Sequence, residues 1–291
     1  MIHQLTHEVS EGLRRENEAY RVAAEGATTE WMRSQFRSVE DYFRDYRDSA
    51  EGAQLREALN EIPRGARILD IGAGYGKVAF YLISLGYPVT ALEPSLDVCR
   101  YMERIADLFG IELKICQATA EVMNRLPVRR FDACMFNASL HHCEDPLRAL
   151  SNCHKVLAPG GKVFLLNEPL LQRFRSKAWF ARQLEGESLV TGDYGGNEHT
   201  YYRQEYLAML RQAGFTDVRD RISLRYVSPG SYLKSLKANQ ACRWSMRARR
   251  LYYGAIGTLS RSGMLGKPVL GMMNALSMLQ TNFMATKRSA A

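Results

Sequence analysis

The sequence predicts an α/β protein with a doubly wound, mostly parallel, seven-stranded sheet, an N-terminal helical cover and a helical C-terminal insertion. Three observations lead to this fold class. Short apolar runs alternate with amphipathic helices between residues 67 and 167, which indicates parallel strands with helices on both faces. The first run leads directly into a turn with glycine at every second position, residues 72–76. Residues 1–60 carry helical rather than strand periodicity.

The seven predicted strands are short apolar runs that turn or capping residues bound. Their positions are residues 67–71, 87–92, 112–116, 131–136, 162–167, 216–226 and 281–286. Helices are predicted between them, where apolar residues recur at spacings of three and four. These helices cover residues 77–84, 96–109, 146–157 and 203–213. The stretch Leu157–Gly161 is interpreted as the turn before the fifth strand.

The formal net charge of +8 is distributed unevenly along the chain. Residues 1–60 contain 12 acidic and 8 basic side chains, whereas residues 221–291 contain 12 lysine and arginine residues and no acidic residue. Such a basic region attracts phosphate groups, nucleic acid or an anionic membrane surface. A solvated, positively charged helical face explains the same composition, and the sequence leaves both interpretations open.

Composition also bears on the cellular context. The N-terminus has no apolar stretch typical of a secretory signal. The six cysteines are scattered and form no Cys-x-x-Cys pair, which favours reduced thiols over a disulfide framework. Residues 268–286 carry no charge, but a proline and several polar residues interrupt them, so a membrane span is not predicted. We expect a cytoplasmic protein, with peripheral attachment to a membrane as the alternative.

The glycine turn has an acidic residue on each side in a specific register. Asp70 stands two residues before Gly72, and Glu93 ends the second predicted strand. Dinucleotide-binding folds place a glycine where this chain has Lys77. The combination instead resembles motif I and its acidic partner in class I S-adenosylmethionine-dependent methyltransferases. The resemblance extends over residues 66–168.

The resemblance implies that S-adenosylmethionine is the cofactor and S-adenosylhomocysteine the product. The turn would lie under the methionine part of the cofactor, Asp70 near its ammonium group, and Glu93 would accept both ribose hydroxyls. Gln117 or Thr119 stands where relatives place an aspartate that contacts adenine. The cofactor-binding residues expected on this basis are Asp70, Gly72, Ala73, Gly74, Gly76, Glu93, Pro94, Gln117, Thr119, Ala120, Glu121 and Asn137.

Histidines near the carboxyl ends of the strands are the candidates for a catalytic base. An alcohol acceptor needs a base near its hydroxyl, and imidazole suits that role near pH 7. His141 and His142 follow the fourth strand, at the sheet edge where ligands bind. His199 lies in a polar loop with Tyr201 and Tyr202, and the resemblance implies that this loop covers the acceptor. Packing and helix capping are the alternative roles for these five residues.

The same residues disfavour several functional classes. No metal site is predicted, because adjacent residues on the turn with His141 and His142 cannot easily converge on one ion. The stretch Asn137–Leu140 replaces the D/N-P-P-Y/F sequence of DNA amino-methylating relatives. We expect methyl transfer to a small molecule, with a hydroxyl of a sugar, glycolipid or natural product favoured. A cofactor-binding partner protein without transfer activity and a nucleic-acid methyltransferase that uses the basic region are the alternatives.

The chain divides into four predicted regions. They are an N-terminal helical cover (1–60), a cofactor-binding core (61–228) with a substrate loop (170–202), a basic helical insertion or lid (229–278), and a final strand with its tail (279–291). In the cover, Tyr42, Phe43 and Tyr46 share one side of a helix and either close over the cofactor or pack in the core. The insertion is interpreted as a lid for a phosphate-bearing or acidic acceptor, as a membrane-binding element for a lipid-linked acceptor, or as a packing or dimer surface. The sequence does not specify the acceptor, the methylated atom or the oligomeric state.

Overall fold

The computed structural model describes residues 2–4, 26–127, 130–180, 199–222 and 281–289, with the single positions 14, 15, 17, 18, 21, 24, 268, 269 and 272. Ten strands lie in this part of the chain, and eight of them form one sheet. The ten strands are β1 (Ile2–Gln4), β2 (Ile68–Ile71), β3 (Val89–Glu93), β4 (Lys114–Gln117), β5 (Phe131–Asn137), β6 (Leu157–Leu166), β7 (Leu170–Leu171), β8 (Tyr201–Tyr202), β9 (Thr216–Ile222) and β10 (Thr281–Thr286).

The main sheet has the strand order β1-β4-β3-β2-β5-β6-β10-β9. All neighbours from β1 to β6 pair in parallel, whereas β10 runs antiparallel to both β6 and β9. The order reverses at β2, which lies between β3 and β5, and ligands bind at the carboxyl ends of strands at such a switch point. The predicted fold class, a mostly parallel sheet with helices on both faces, is confirmed.

One strand lies where the sequence predicts helix. Residues Ile2–Gln4 pair in parallel with Ile115–Gln117 of β4 and add an eighth strand to the seven predicted ones. Three residues are too few to show the alternation that identifies a strand in a sequence. The unpaired edge of β4 supplies the hydrogen-bonding partners that make this segment extended.

Seven α-helices and two short 3₁₀ segments, Ala120–Arg125 and Leu140–His142, are described. The helices are α1 (Thr29–Gln35), α2 (Val39–Arg47), α3 (Ala50–Leu59), α4 (Lys77–Ser84), α5 (Leu96–Phe109), α6 (Pro146–Val156) and α7 (Arg203–Gln212). Five of them begin at a residue whose side chain accepts a backbone N–H of the first turn, namely Thr28, Ser38, Ser49, Ser95 and Asp145. The bounds of α4 and α5 are those predicted, and α6 and α7 each end one residue earlier.

The core consists of two layers, one on each face of the sheet. Helices α1 to α5 pack on one face, and α6 and α7 pack on the other. In the first layer Tyr42 and Phe43 of α2 are 3% and 2% exposed and pack against the rings of Phe80 and Tyr81. Tyr42 also donates a hydrogen bond from its hydroxyl to the carbonyl of Tyr75 at 2.5 Å. The N-terminal helices are therefore attached to the glycine turn as well as to the core.

The predicted turn before the fifth strand lies inside β6 as an irregularity of the pairing. Phe131 pairs with Leu157, but Ala133 pairs with Lys162. Over this interval β6 advances by five residues while β5 advances by two, so β6 contains a bulge. Gly160 has a φ of +77°, which favours glycine, and its N–H donates to the carbonyl of Lys287 at 2.9 Å. The chain beyond β10 therefore holds this bulge in place.

Two predicted regions lie largely outside the described residues. Strands β7 and β8 pair in parallel near the two ends of the predicted substrate loop, but residues 181–198 are not described. Of the predicted insertion 229–278, only residues 268, 269 and 272 are described. Within the described part of the chain, no helix is both long and apolar enough to cross a membrane.

Candidate cofactor site and active site

The glycine turn connects β2 to α4 and lies at the carboxyl edge of the sheet. The backbone N–H groups of Gly72 and Ala73 both donate to the carbonyl of Leu92 in the neighbouring strand, at 2.8 and 3.0 Å. Gly72 has a φ of +70°, and a Cβ atom there would lie 2.5 Å from the Cβ of Ser139. A larger residue is therefore excluded by both conformation and space. This contact brings the end of β5 against the turn.

Asp70 is a buried carboxyl group in β2, with 1% exposure. Its Oδ2 atom has no hydrogen-bond partner among the described residues. Burial, with the charge of Glu93 as the second cause, raises the pKa of Asp70 to about 7. A buried carboxylate oxygen without a partner is unfavourable alone and suits a cationic group such as the ammonium of the expected cofactor.

Tyr46 is a further aromatic residue of α2, and its ring packs against that of Tyr81. Its hydroxyl is buried and has no hydrogen-bond partner within the described chain. Burial first, and the charge of Asp70 second, raise the pKa of Tyr46 above its ordinary value. Of the three aromatic residues predicted on one side of this helix, Tyr42 contacts the glycine turn through its hydroxyl, while Phe43 packs in the core.

Glu93 ends β3 and is 5% exposed. One carboxylate oxygen accepts the N–H of Gly74 at 2.9 Å and the other accepts the N–H of Ser95 at 3.0 Å. Burial raises the pKa of Glu93 to about 7, against the effect of these two hydrogen bonds. Each oxygen has a second lone pair, so the group retains the capacity to accept two ribose hydroxyls.

The residues expected around the adenine follow β4. The Gln117 amide donates to the carbonyl of Pro94 at 3.2 Å, and the N–H of Ala118 donates to that of Glu93 at 3.2 Å. These bonds place residues 117–120 beside the end of β3. The carboxylate of Glu121 accepts the backbone N–H of Asp145 at 3.4 Å, so it is engaged at the start of α6.

At the end of β5, Asn137 accepts a hydrogen bond at its Oδ1 from the amide of Asn167, at 2.6 Å. Asn167 and Ala138 have φ values of +59° and +53°, in the left-handed region that non-glycine residues seldom adopt. Each such residue costs about 1–3 kcal/mol and is characteristic of functional sites. Two of the four described non-glycine residues with positive φ therefore lie where the carboxyl ends of β5 and β6 meet.

Glu168 is the central residue of this edge, and the sequence analysis missed it. Its side chain is fully buried and accepts the backbone N–H groups of Ser139, Leu140 and His141 at 3.0, 2.9 and 3.1 Å. Its Oε2 also lies 2.8 Å from the Nδ1 of His141. The sequence signal that could have identified Glu168 is its position directly after the fifth predicted strand, residues 162–167.

The interaction with Glu168 orients one of the two candidate histidines. His141 is 6% exposed, and a proton on Nδ1 directed at Glu168 leaves Nε2 as the basic nitrogen. The two imidazole rings of His141 and His142 are in contact, with centroids 4.1 Å apart and an angle of 39° between their planes. No cluster of three or more His, Cys, Asp or Glu side chains suited to a metal ion occurs among the described residues.

The other candidate residues approach this edge from the chain before α7. His199 is exposed, yet desolvation of its imidazole and the charge of His141 lower its pKa, which places the two histidines in one electrostatic environment. The pKa of Tyr201 is raised to about 12, chiefly by burial, and its ring packs on Tyr206. Tyr202 donates from its hydroxyl to the carbonyl of Arg175 at 2.7 Å, which ties it to the local fold.

Cofactor binding is expected to release protons near neutral pH. The raised pKa values of Asp70 and Glu93 mean that the ligand-free fold favours their neutral forms; this stabilising contribution is present at low pH and is lost as pH rises through about 7. An ammonium group beside Asp70 and hydroxyl donors at Glu93 favour the ionised forms. The affinity for S-adenosylhomocysteine should therefore increase from pH 6 to pH 8.

Calorimetry at pH 6.5 in two buffers of different ionisation enthalpy measures this release. The apparent binding enthalpies should differ between the two buffers. The difference should correspond to the release of about half a proton or more for each ligand bound. Equal enthalpies and an affinity independent of pH would show that both carboxyl groups are already ionised before the ligand binds.

The fold and this geometry define the class of protein. The sheet reverses its strand order at β2, and a glycine turn follows that strand. One buried acid precedes the turn, and a second acid ends the next strand. Class I S-adenosylmethionine-dependent methyltransferases have this arrangement. Residues 69–165 match the family described as "Methyltransferase domain". Residues 69–165, a third of the chain, are therefore similar to a methyltransferase domain, and S-adenosylmethionine is the cofactor of class I members.

Relatives with known activities are similar over part of their length. An S-adenosyl-L-methionine-dependent Diels-Alderase from Talaromyces variabilis is 28% identical over 166 residues, which are 55% of this chain and 56% of that protein. A ubiquinone biosynthesis O-methyltransferase from Xanthomonas axonopodis pv. citri is 29% identical over 158 residues, 52% of this chain and 63% of that protein. The chain thus spans less than two thirds of the length of either relative.

Solved structures share the fold at low sequence identity. A SAM-dependent methyltransferase from Archaeoglobus fulgidus has a TM-score of 0.51 and 16% identity over 85% of this chain and 97% of its own. Phosphoethanolamine N-methyltransferase 2 from Haemonchus contortus, in complex with S-adenosyl-L-methionine, has a TM-score of 0.52 and 16% identity over 82% of this chain and 53% of its own. These similarities support the fold.

Proposed function

We propose that the protein transfers a methyl group from S-adenosylmethionine to a hydroxyl group of a small molecule such as a sugar, glycolipid or natural product. The observation that carries this proposal is the contact between His141 and the buried Glu168, 2.8 Å long, at the carboxyl edge of β5. It supplies an oriented imidazole beside the expected cofactor residues, and a hydroxyl acceptor is the acceptor that needs a base.

The bound cofactor supplies a methyl group already activated by its sulfonium. Asp70 would hold its ammonium group, and Glu93 would accept its ribose hydroxyls. His141 Nε2 would take up the proton that the acceptor hydroxyl loses on methylation, and S-adenosylhomocysteine would be the leaving group. Glu168 keeps the Nδ1 proton in place and stabilises the imidazolium that results.

One named relative supports the choice of oxygen as the methylated atom. The Xanthomonas protein is a ubiquinone biosynthesis O-methyltransferase, and its similarity covers 52% of this chain. We propose that the acceptor of this chain likewise presents a hydroxyl. His199 and Tyr201, which share the electrostatic environment of His141 and Glu168, are proposed to line the acceptor side of the site.

A second function is favoured by the similarity to the Talaromyces Diels-Alderase. In that alternative the chain binds the cofactor without transferring its methyl group. The two functions differ in one measurable product, because only methyl transfer forms S-adenosylhomocysteine. Mass spectrometry of reactions with S-adenosylmethionine and a panel of phenols, sugars and glycolipids tests the proposal. Conversion of a panel compound without formation of S-adenosylhomocysteine would support the alternative and contradict methyl transfer.

Replacement of the proposed base should separate chemistry from binding. His141→Asn is expected to lower kcat for a hydroxyl acceptor by about 100-fold or more, because general-base catalysis contributes roughly 10²–10⁴-fold. The affinity for S-adenosylhomocysteine should remain within about threefold of wild type. The rise of rate with pH that imidazole deprotonation causes should disappear.

The matched control is His3→Asn, which makes the same change at an exposed residue of β1. It should leave kcat and the pH profile unaltered. If His141→Asn retained full activity while His142→Asn or His199→Asn lost it, the base would have to be reassigned to that histidine.

A further inference from the structure

A second cavity lies between helix α3 and the antiparallel end of the sheet, formed by β6, β10 and β9. Its volume is about 210 Å³. One stripe of α3 forms a wall, and residues of the three strands form the floor. The lining residues used below are Gln54, Ala58, Phe164, Met284, Arg219 and Arg221.

The floor of the cavity continues the row of side chains that contains Asp70. Asp70 pairs with Met135, Met135 with Phe164, Phe164 with Met284, and Met284 with Arg219. Paired residues of neighbouring strands point to the same face, and strands lie about 4.8 Å apart. One strand, β5, therefore separates Asp70 from Phe164, and the cavity is a neighbour of the expected cofactor site on the same face.

Gln54 is the unusual residue of this cavity. Its side chain has no exposed surface, and neither its amide nitrogen nor its amide oxygen has a partner in the described part of the chain. A buried amide without hydrogen bonds is unfavourable, and such groups usually pair with protein, water or a ligand. An amide lacking both kinds of partner matches a ligand that offers a donor and an acceptor side by side.

The charges around the cavity favour an uncharged ligand. Arg221 forms an ion pair with Glu61 at 3.3 Å, and Glu61 also contacts Lys162 at 3.4 Å. Arg219 forms an ion pair with Asp217 at 2.7 Å. Both lining guanidinium groups are thus engaged by carboxylates, while Phe164 and Met284 offer apolar surface.

We propose that this cavity is a second small-molecule site, which takes a neutral single-ring compound bearing an amide or hydroxyl group. Gln54 forms the polar contacts, and the ring packs on Phe164 and Met284. The volume suits this size, since a protein cavity of about 150 Å³ holds benzene. The site is separate from the glycine turn and does not depend on methyl transfer.

Titration of the full chain with benzamide, followed by ligand-observed NMR, tests the proposal. Saturable binding is expected, weakened about tenfold or more in Gln54→Leu, because that change removes both hydrogen-bonding partners at similar volume. Ala58→Leu should weaken binding by filling the cavity. Gln204→Leu, the same change as the first at an exposed residue of α7, is the matched control and should bind as wild type does. Thermal melting followed by circular dichroism confirms that each variant is folded.

Two further arms make the result decisive. Toluene has the ring without the amide, so it should bind wild type more weakly than benzamide does. The two compounds should bind Gln54→Leu with equal affinity. Saturating S-adenosylhomocysteine should not displace benzamide. Equal benzamide affinity in wild type and Gln54→Leu, no saturable binding, or displacement by S-adenosylhomocysteine would each overturn the proposal.

Discussion

Titration with S-adenosylhomocysteine is expected to give binding in the micromolar range that weakens by about 100-fold in Glu93→Ala. Glu93 is placed to accept two ribose hydroxyls, and hydrogen bonds to a charged group contribute about 1.5–3 kcal/mol each. Loss of two such bonds is about 3 kcal/mol or more, which is at least 100-fold in affinity. The variant also leaves the N–H groups of Gly74 and Ser95 without their acceptor.

Asp70→Ala should weaken binding as well, without loss of folding. The ligand-free protein buries an Asp70 oxygen that has no partner within the described chain, so its removal takes away an unfavourable group. Asp107→Ala and Glu112→Ala, at exposed positions of the same layer, are the controls and should bind as wild type does. A folded wild-type protein that does not bind S-adenosylhomocysteine would contradict the assignment of the cofactor site.

Glu168→Ala is expected to cause the largest loss of stability of any single change at the site. Three backbone N–H groups and the Nδ1 of His141 lose their buried acceptor together. Buried polar groups that lose their hydrogen-bond acceptor in this way lower the free energy of unfolding by about 3–5 kcal/mol. For a chain of this size the melting temperature should fall by roughly 6–20 °C. Denaturant unfolding followed by tryptophan fluorescence measures the change.

Two comparison variants test whether the loss arises from these contacts. Glu168→Gln retains one oxygen acceptor but turns an N–H donor towards His141, so its stability should lie between wild type and Glu168→Ala. Glu144→Ala removes an exposed acid close in sequence to His142 and should unfold as wild type does. A Glu168→Ala protein as stable as wild type would show that the end of β5 is held by other contacts.

The cofactor side of the site could be predicted from the sequence because local patterns determine it. Asp70 and the glycine turn lie at fixed distances from the end of one strand, and Glu93 ends the next strand. The glycine turn before α4 and Gly86 after it predict the bounds of that helix, and Gly110 follows the end of α5. Each of these features depends on residues close in the chain.

The catalytic side and the second cavity depend on contacts between distant residues. Glu168 lies 27 positions from His141, and their meeting follows from the register of β5 against β6, which a bulge displaces. From the sequence, Gln54 is an ordinary polar residue of a predicted helix. The neighbouring residues do not indicate that its side chain is buried between α3 and the sheet. Strand β1 is likewise defined only by the edge it joins.

The register of β9 and β10 has a consequence for how such a chain diversifies. Ile222, the last described residue of β9, pairs directly with Thr281, the first residue of β10. The 58 residues between them therefore begin and end at neighbouring positions of the sheet. The entropy of closing such a loop grows only slowly with its length. Changes of chain length between Ile222 and Thr281 should therefore cost little in closure entropy, about 0.6 kcal/mol for each doubling, while the pairing of β9 with β10 is kept.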